Sequence, residues 1–192
     1  MKMKAAVFYG GKRFAVEEVP IPRVEEDGLL IRVEAAGICG SDLHIRTEQP
    51  PFPVVLGHEV AGTVVKLGSR ANETMYIHGG PLKVGDRIAL YPTVTCGHCA
   101  NCMDYGNGAY SMCDKPFGYG DWMAYQGTGD YQREAGVPPL TGGFAEYIYI
   151  YPGTYLWKVP EDMPNERAAL LEGLGVAVQT VELAQRCPGV LE

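Results

Sequence analysis

The chain has 192 residues, 46% of them apolar and 20% charged, with a formal net charge of −7. That length suits one domain with a real core, or a domain plus a fragment. The few, scattered Lys and Arg exclude a surface that tracks duplex phosphates. No apolar run reaches the length of a membrane span, and the opening Met1-Lys2-Met3-Lys4-Ala5 lacks the apolar core of a signal peptide.

Glycine (25) and proline (14) are abundant, which predicts many short strands and turns rather than a helical bundle. Met3–Tyr9 and Phe14–Val19 read as two strands joined at Gly10-Gly11, a hairpin ended by Pro20-Ile21-Pro22 because proline cannot donate to a ladder. Gly28–Ala36 alternates apolar and polar residues as a half-buried strand should. Val60–Leu67 and Asp86–Tyr91 read as further strands, separated by a polar, glycine-rich stretch, Ser69–Pro81, expected to be a loop. The aromatic and glycine-rich segment Lys115–Gly143 has no period and reads as an irregular lobe. Strands resume at Phe144–Ile150 and Tyr155–Val159. Asn165–Arg186 is helix-like, with Asn165 as N-cap and a kink or a second helix expected at Gly173 and Gly175. The prediction is a mainly β domain with short helices and a helical tail.

Six cysteines are present, and Cys96, Cys99, Cys102 and Cys113 crowd into one short stretch with the pattern C-x2-C-x2-C-x10-C. In a reducing, cytoplasmic compartment such a cluster holds metal more often than disulfides. Thiolates this close can converge on one zinc ion at about 2.3 Å each. Four sulfurs leave no open position, so the site would be structural. Two disulfides or free buried thiols are the competing readings. His98, inside the knuckle, reads as a solvated loop residue.

A second group sits at strand ends. Cys39-Gly40-Ser41-Asp42-Leu43-His44 follows one strand, and Gly57-His58-Glu59 precedes another. A thiolate and an imidazole meeting there with a third ligand and an exchangeable fourth position make a catalytic metal site. Singly, Cys39 is more often a small buried hydrophobe and His58 a hydrogen-bonded loop residue. Their pairing beside a zinc knuckle favours ligation.

VEAAGICGSDLH, LGHEVAGTVVKLG, VGDRI, the four-cysteine lobe and GGFAEY follow one another from about Met3 to Arg186. In this order they resemble the zinc-dependent medium-chain alcohol and polyol dehydrogenases. The resemblance implies a GroES-like β-barrel catalytic domain over residues 1–164, with a structural-zinc lobe at about 92–143. Residues 165–192 would then lead towards a Rossmann domain that the chain lacks. It implies Cys39 and His58 as catalytic zinc ligands and Cys96, Cys99, Cys102 and Cys113 as structural ones; alcohol dehydrogenase is itself a standard precedent for such a catalytic site. The family's third ligand falls at the start of the helical segment, here Glu172; Glu59, beside His58, is the rival, and reads rather as a support behind the ligands or as a partner that exchanges with Glu172 during turnover. A carboxylate in that apolar run would otherwise be costly to bury unpaired, unless it faces solvent. Asp42 is expected to hydrogen-bond His58 and fix its tautomer. Ser41 and His44 are expected to relay the substrate's proton to solvent; a helix N-cap and a plain surface residue are the competing readings.

The activity implied is oxidation of a small alcohol or polyol to a carbonyl with NAD or NADP, by a homo-oligomeric parent without nucleic-acid or membrane partners. Gly173-Leu174-Gly175 is not a dinucleotide fingerprint, since it follows no strand and lacks the third glycine and the distal acid. The chain by itself is therefore expected to be inactive. A glutathione-adduct formaldehyde dehydrogenase and a non-catalytic zinc-stapled assembly module are the alternatives. Two departures from the family pattern are the long stretch Asn72–Leu82 and the long spacing between Cys102 and Cys113.

Overall fold

The computed structural model describes residues 1–50, 52–106, 112–120 and 140–186. The expected first hairpin is present: β1 (Lys2–Phe8) pairs antiparallel with β2 (Phe14–Pro20), from Lys2↔Pro20 to Phe8↔Phe14. Its turn passes through Gly10, Gly11 and Lys12, all at positive φ, where glycine costs least. Helix α1 (Gly40–Ile45) follows the next strand, and the two-residue β4 (Val54–Val55) pairs on the other side of β1. Alternate β1 residues Met3, Ala5 and Val7 are buried against Val19 and Val55.

The larger sheet has six strands in the order β10-β3-β5-β7-β11-β6. In chain order these are β3 (Leu29–Gly37), β5 (Glu59–Leu67), β6 (Tyr76–His78), β7 (Arg87–Leu90), β10 (Tyr147–Ile150) and β11 (Tyr155–Lys158). Leu29, Ile31, Val64, Ile88, Leu90, Ile148, Ile150 and Leu156 form its buried face, together with the rings of Phe117, Tyr119, Tyr149 and Tyr151. Each buried aliphatic side chain contributes about 1.5–3 kcal/mol, so this face dominates the fold's stability. The run before β10 ties the sheets together: the Ala6 amide donates to Phe144 O (2.8 Å) and the Glu146 amide to Lys4 O (3.0 Å).

Four expectations are corrected. Ser69–Pro81 is not a simple loop, because it holds α2 (Ala71–Thr74) and the edge strand β6. Tertiary contacts order it: the Asn72 side chain bonds both the N–H and the C=O of Leu82 (2.7 and 3.0 Å). Tyr76 and His78 stack on Tyr155 and Trp157, with ring centroids 4.5 and 5.0 Å apart. The described part of the supposedly irregular lobe contributes β9 (Phe117–Gly118), paired with β8 (Thr93–Val94), and sends Phe117 and Tyr119 into the core. Residues 121–139 of that segment lie outside the described residues. The helical tail is indeed two successive helices, α4 (Asn165–Ala169) and α5 (Leu171–Gln185), but the break falls at Leu170, and Gly173 and Gly175 lie inside α5. Asn165 is not the N-cap, a place taken by Pro164; its side-chain oxygen instead accepts two hydrogen bonds from Arg87 (2.7 and 3.0 Å).

Ala168 and Ala169 of α4 are buried against Ala61 and Ala89. No residue of α5 is buried. Among the described residues, no helix is long and apolar enough to cross a membrane.

Candidate metal centres

The knuckle begins just after β8. Gly97 at φ +74° turns the chain so that Cys96 and Cys99 face one another, and helix α3 (Ala100–Tyr105), capped by Cys99, presents Cys102 from its first turn. The Sγ atoms of Cys96, Cys99, Cys102 and Cys113 all lie within 4.8 Å of one another. The Cys96 and Cys102 sulfurs are 3.9 Å apart, too far for a disulfide. A zinc–sulfur distance of about 2.3 Å implies tetrahedron edges of about 3.8 Å, so the donor set fits that ion. A hydrogen bond from the His98 backbone leads the effects that lower the Cys96 thiol to about 6, against burial. Burial, aided by a hydrogen bond with Cys99, pushes Cys102 up to about 12. A metal bound here would need all four thiols as thiolates, so its binding would release protons. His98 is exposed, with Nδ1 2.7 Å from the Cys96 carbonyl, and stays outside the sulfur set.

The second centre is built where β3 and β5 end side by side. Their register pairs Gly37 with Glu59, and two residues past Gly37 the chain reaches Cys39. Cys39 caps α1, its N–H donating to Asp42 Oδ2 (2.9 Å). A thiol of Cys39, a ring nitrogen of His58 and a carboxylate oxygen of Glu59 lie within 4.8 Å of one another. Soft thiolate, imidazole and carboxylate on one point suit zinc.

Asp42 stands behind His58. It is 5% exposed, its Oδ1 has no hydrogen-bond partner among the described residues, and that oxygen lies 3.9 Å from His58 Nδ1. Burial raises the Asp42 carboxyl above its usual range and Glu59 adds to the rise, while the Cys39 amide and His58 oppose it. A carboxylate facing the ring with a spare lone pair is what a ligand histidine needs to hold its orientation. Ser41 is half-buried on α1, and His44 is exposed on the next turn of the same helix.

Glu172 is not gathered into this group. It sits in the first turn of α5 and lines a cavity of about 500 Å³ with Leu90, Tyr91, Tyr155 and Trp157. The β5–β7 register, Ala61↔Ala89, runs Glu59 towards Tyr91 when extended by two residues. Tyr91, in the cavity wall, therefore lies at the same end of the sheet as the Cys39 group.

The clamp on the His58 loop was not anticipated from the sequence. The Gly143 amide donates to Gly57 O (2.7 Å) and the Phe144 amide to Leu56 O (2.9 Å). Gly57 adopts φ +96° under the Phe144 ring, and Gly120 packs onto the Gly57 backbone so closely that a Cβ there would lie 2.6 Å away. The doubled glycine Gly142-Gly143 before an aromatic was the available signal, since such pairs mark close backbone approach.

Known proteins place this architecture. Residues 25–161 match the family described as the alcohol dehydrogenase GroES-like domain. Sorbitol dehydrogenase of Bacillus subtilis is 34% identical over 97% of this chain and 47% of its own length. Galactitol-1-phosphate dehydrogenase of Escherichia coli superposes with a TM-score of 0.71 at 30% identity, over 95% of this chain and 45% of that one. A structure described as a short chain alcohol dehydrogenase from Escherichia coli CFT073, complexed with NADH, gives a TM-score of 0.71 at 28% identity, over 96% and 46%. The chain thus spans about half the length of the relatives it matches. This match over residues 25–161 makes the chain a member of the alcohol dehydrogenase GroES-like domain family, and its sheet order and its two clusters of residues able to hold a metal agree with that.

Proposed function

We propose that this chain forms the metal-binding catalytic domain of a zinc-dependent dehydrogenase that oxidises an alcohol or polyol to a carbonyl, with NAD or NADP as hydride acceptor in the whole enzyme. The observation that carries the reading is the convergence of Cys39, His58 and Glu59 at two strand ends, beside a separate four-sulfur cluster. The polyol preference is supported by the sorbitol and galactitol-1-phosphate relatives. The catalytic unit is taken as residues 1–164, with the helical segment from 165 belonging to its junction with a nucleotide-binding unit. Gly173 and Gly175 lie inside α5 rather than in a strand-to-helix turn, so they offer no phosphate cradle.

Cys39, His58 and an acidic side chain, Glu59 or Glu172, would hold the catalytic zinc. Zinc so held supplies Lewis acidity, which lowers the pKa of a substrate hydroxyl as it does that of water. Asp42 orients the His58 ring. Ser41 Oγ takes the proton, and the His44 imidazole passes it from the half-buried end of α1 to solvent. Cys96, Cys99, Cys102 and Cys113 would staple the lobe and do no chemistry. The free thiols at these positions and at Cys39 suit a reducing cytoplasm. A homo-oligomeric enzyme acting on small molecules, without nucleic-acid or membrane partners, completes the reading.

Zinc content per chain tests it. Two ions in the wild type, falling to one in Cys39→Ala and one in Cys96→Ala, is the expected result. A single ion lost only with Cys96→Ala would leave the knuckle alone and overturn the catalytic assignment.

A further inference from the structure

The glycines of this chain fall into physically different classes, and one differs from the rest near the Cys39 group. At Gly57, Gly97 and Gly120 the backbone itself demands glycine, because φ is positive. At Gly62 and Gly142 a Cβ would strike backbone oxygens, at 2.3 and 2.1 Å. Gly37 has neither constraint. Its φ is not positive, and the three atoms nearest to a Cβ added there all belong to the Glu59 side chain: Oε2 at 2.0 Å, Cβ at 3.0 Å and Cδ at 3.1 Å.

Register explains the contact. Gly37 and Glu59 are directly paired across β3 and β5, so side chains at the two positions project from the same face. Two residues past Gly37, where β3 ends, the chain reaches Cys39 at the N-cap of α1. A glutamate opposite any larger residue would be turned away from the strand. Opposite glycine it lies down across the vacant position, and its carboxylate reaches the Cys39 thiol and the His58 ring.

We infer that Gly37 is a positioning residue for the Cys39–His58 metal centre, acting through Glu59: its missing side chain is the space that directs the Glu59 carboxylate onto the metal. The inference rests on the catalytic-zinc reading above and assigns a role to a residue that touches no metal. It also separates position from fold. The atom closest to an added methyl is the far end of a flexible side chain, which can swing aside, and the Glu59 Cβ at 3.0 Å needs only a small strand adjustment, so Gly37→Ala should fold.

The test is a double-mutant cycle on the full chain with Gly37→Ala, Glu59→Ala and the pair. Zinc affinity is read by competition with a chromogenic chelator, and the ligand field by the visible spectrum of the cobalt-substituted protein. Retention of the knuckle zinc and the far-UV circular dichroism report folding. Gly37→Ala is expected to weaken the Cys39 site on the order of ten- to a hundredfold, the usual cost of disturbing a ligand's support. It should shift its cobalt bands and leave the knuckle loaded. In the Glu59→Ala background the same substitution should change affinity by less than about threefold, because the group it acts through is gone. An equal loss in both backgrounds would show that Gly37 acts on the fold, and no loss in either would show that Glu59 finds the metal without it; each overturns the inference while leaving the zinc reading intact. A wild type that holds only the knuckle ion removes the site, and the inference falls together with the catalytic reading.

Discussion

Arg87 carries the junction between the sheet and the helical tail. From β7 its guanidinium donates twice to Asn165 Oδ1 and to the carbonyls of Pro160 (3.1 Å), Glu161 (3.3 Å) and Met163. The turn before α4 is thereby wrapped around one side chain, and the Ala168–Ala169 contact with Ala61 and Ala89 follows from that turn. Arg87→Leu keeps much of the aliphatic stem and removes the fork. The exposed carbonyls will rehydrate, so only the part-buried, charge-assisted pair to Asn165 is counted, at about 2 kcal/mol. With a urea slope of about 2 kcal/mol/M, the unfolding midpoint should fall by about 1 M. Tryptophan fluorescence suits the measurement, because Trp157 lies on β11, beside β7. Arg87→Lys keeps the charge but not the planar fork and should recover less than half the loss. A midpoint change below about 0.2 M in Arg87→Leu would refute the idea that this network holds the tail on the sheet.

Gly57→Ala places a Cβ at φ +96° and 2.6 Å from the Phe144 ring. It should cost about 1–3 kcal/mol for the backbone alone and selectively weaken metal binding at His58; equal thermal stability and unchanged zinc content would refute it. For Asp42, burial raises the folded-state carboxyl pKa above its unfolded value, so the metal-free fold binds the proton more tightly and loses stability as pH rises between the two values. Asp42→Asn should therefore flatten that pH dependence and stabilise the metal-free chain near neutral pH, while weakening zinc at His58. Urea midpoints across pH with chelator present check the first effect, and an unaltered pH profile would refute it.

Much of the molecule is legible from residue order because its signals are local. Alternation marks β3, turn glycines mark the β1–β2 hairpin, and close Cys spacing marks the knuckle, whose members are neighbours through one turn and one short helix. Cys39 and His58 are also readable as a pair, since each sits at a strand end beside a short polar motif. What sequence reasoning missed rests on contacts between distant segments. Asn72 reaches Leu82, β6 pairs with β11, and Gly143 and Phe144 clamp Leu56 and Gly57. None of these leaves a period or a spacing.

The acidic partner of Cys39 and His58 shows the division most clearly. By residue type Glu59 and Glu172 are equal candidates, and family pattern favoured Glu172. The tertiary structure sets ligand atoms of Glu59, Cys39 and His58 within 4.8 Å of one another, and sets Glu172, in the first turn of α5, in the wall of the neighbouring cavity. Sequence by itself determined which chemical groups this protein has and the local turns that present them. Only the packing of strands far apart in the chain decided which of those groups meet, since register and close backbone approach depend on volumes that no single segment encodes.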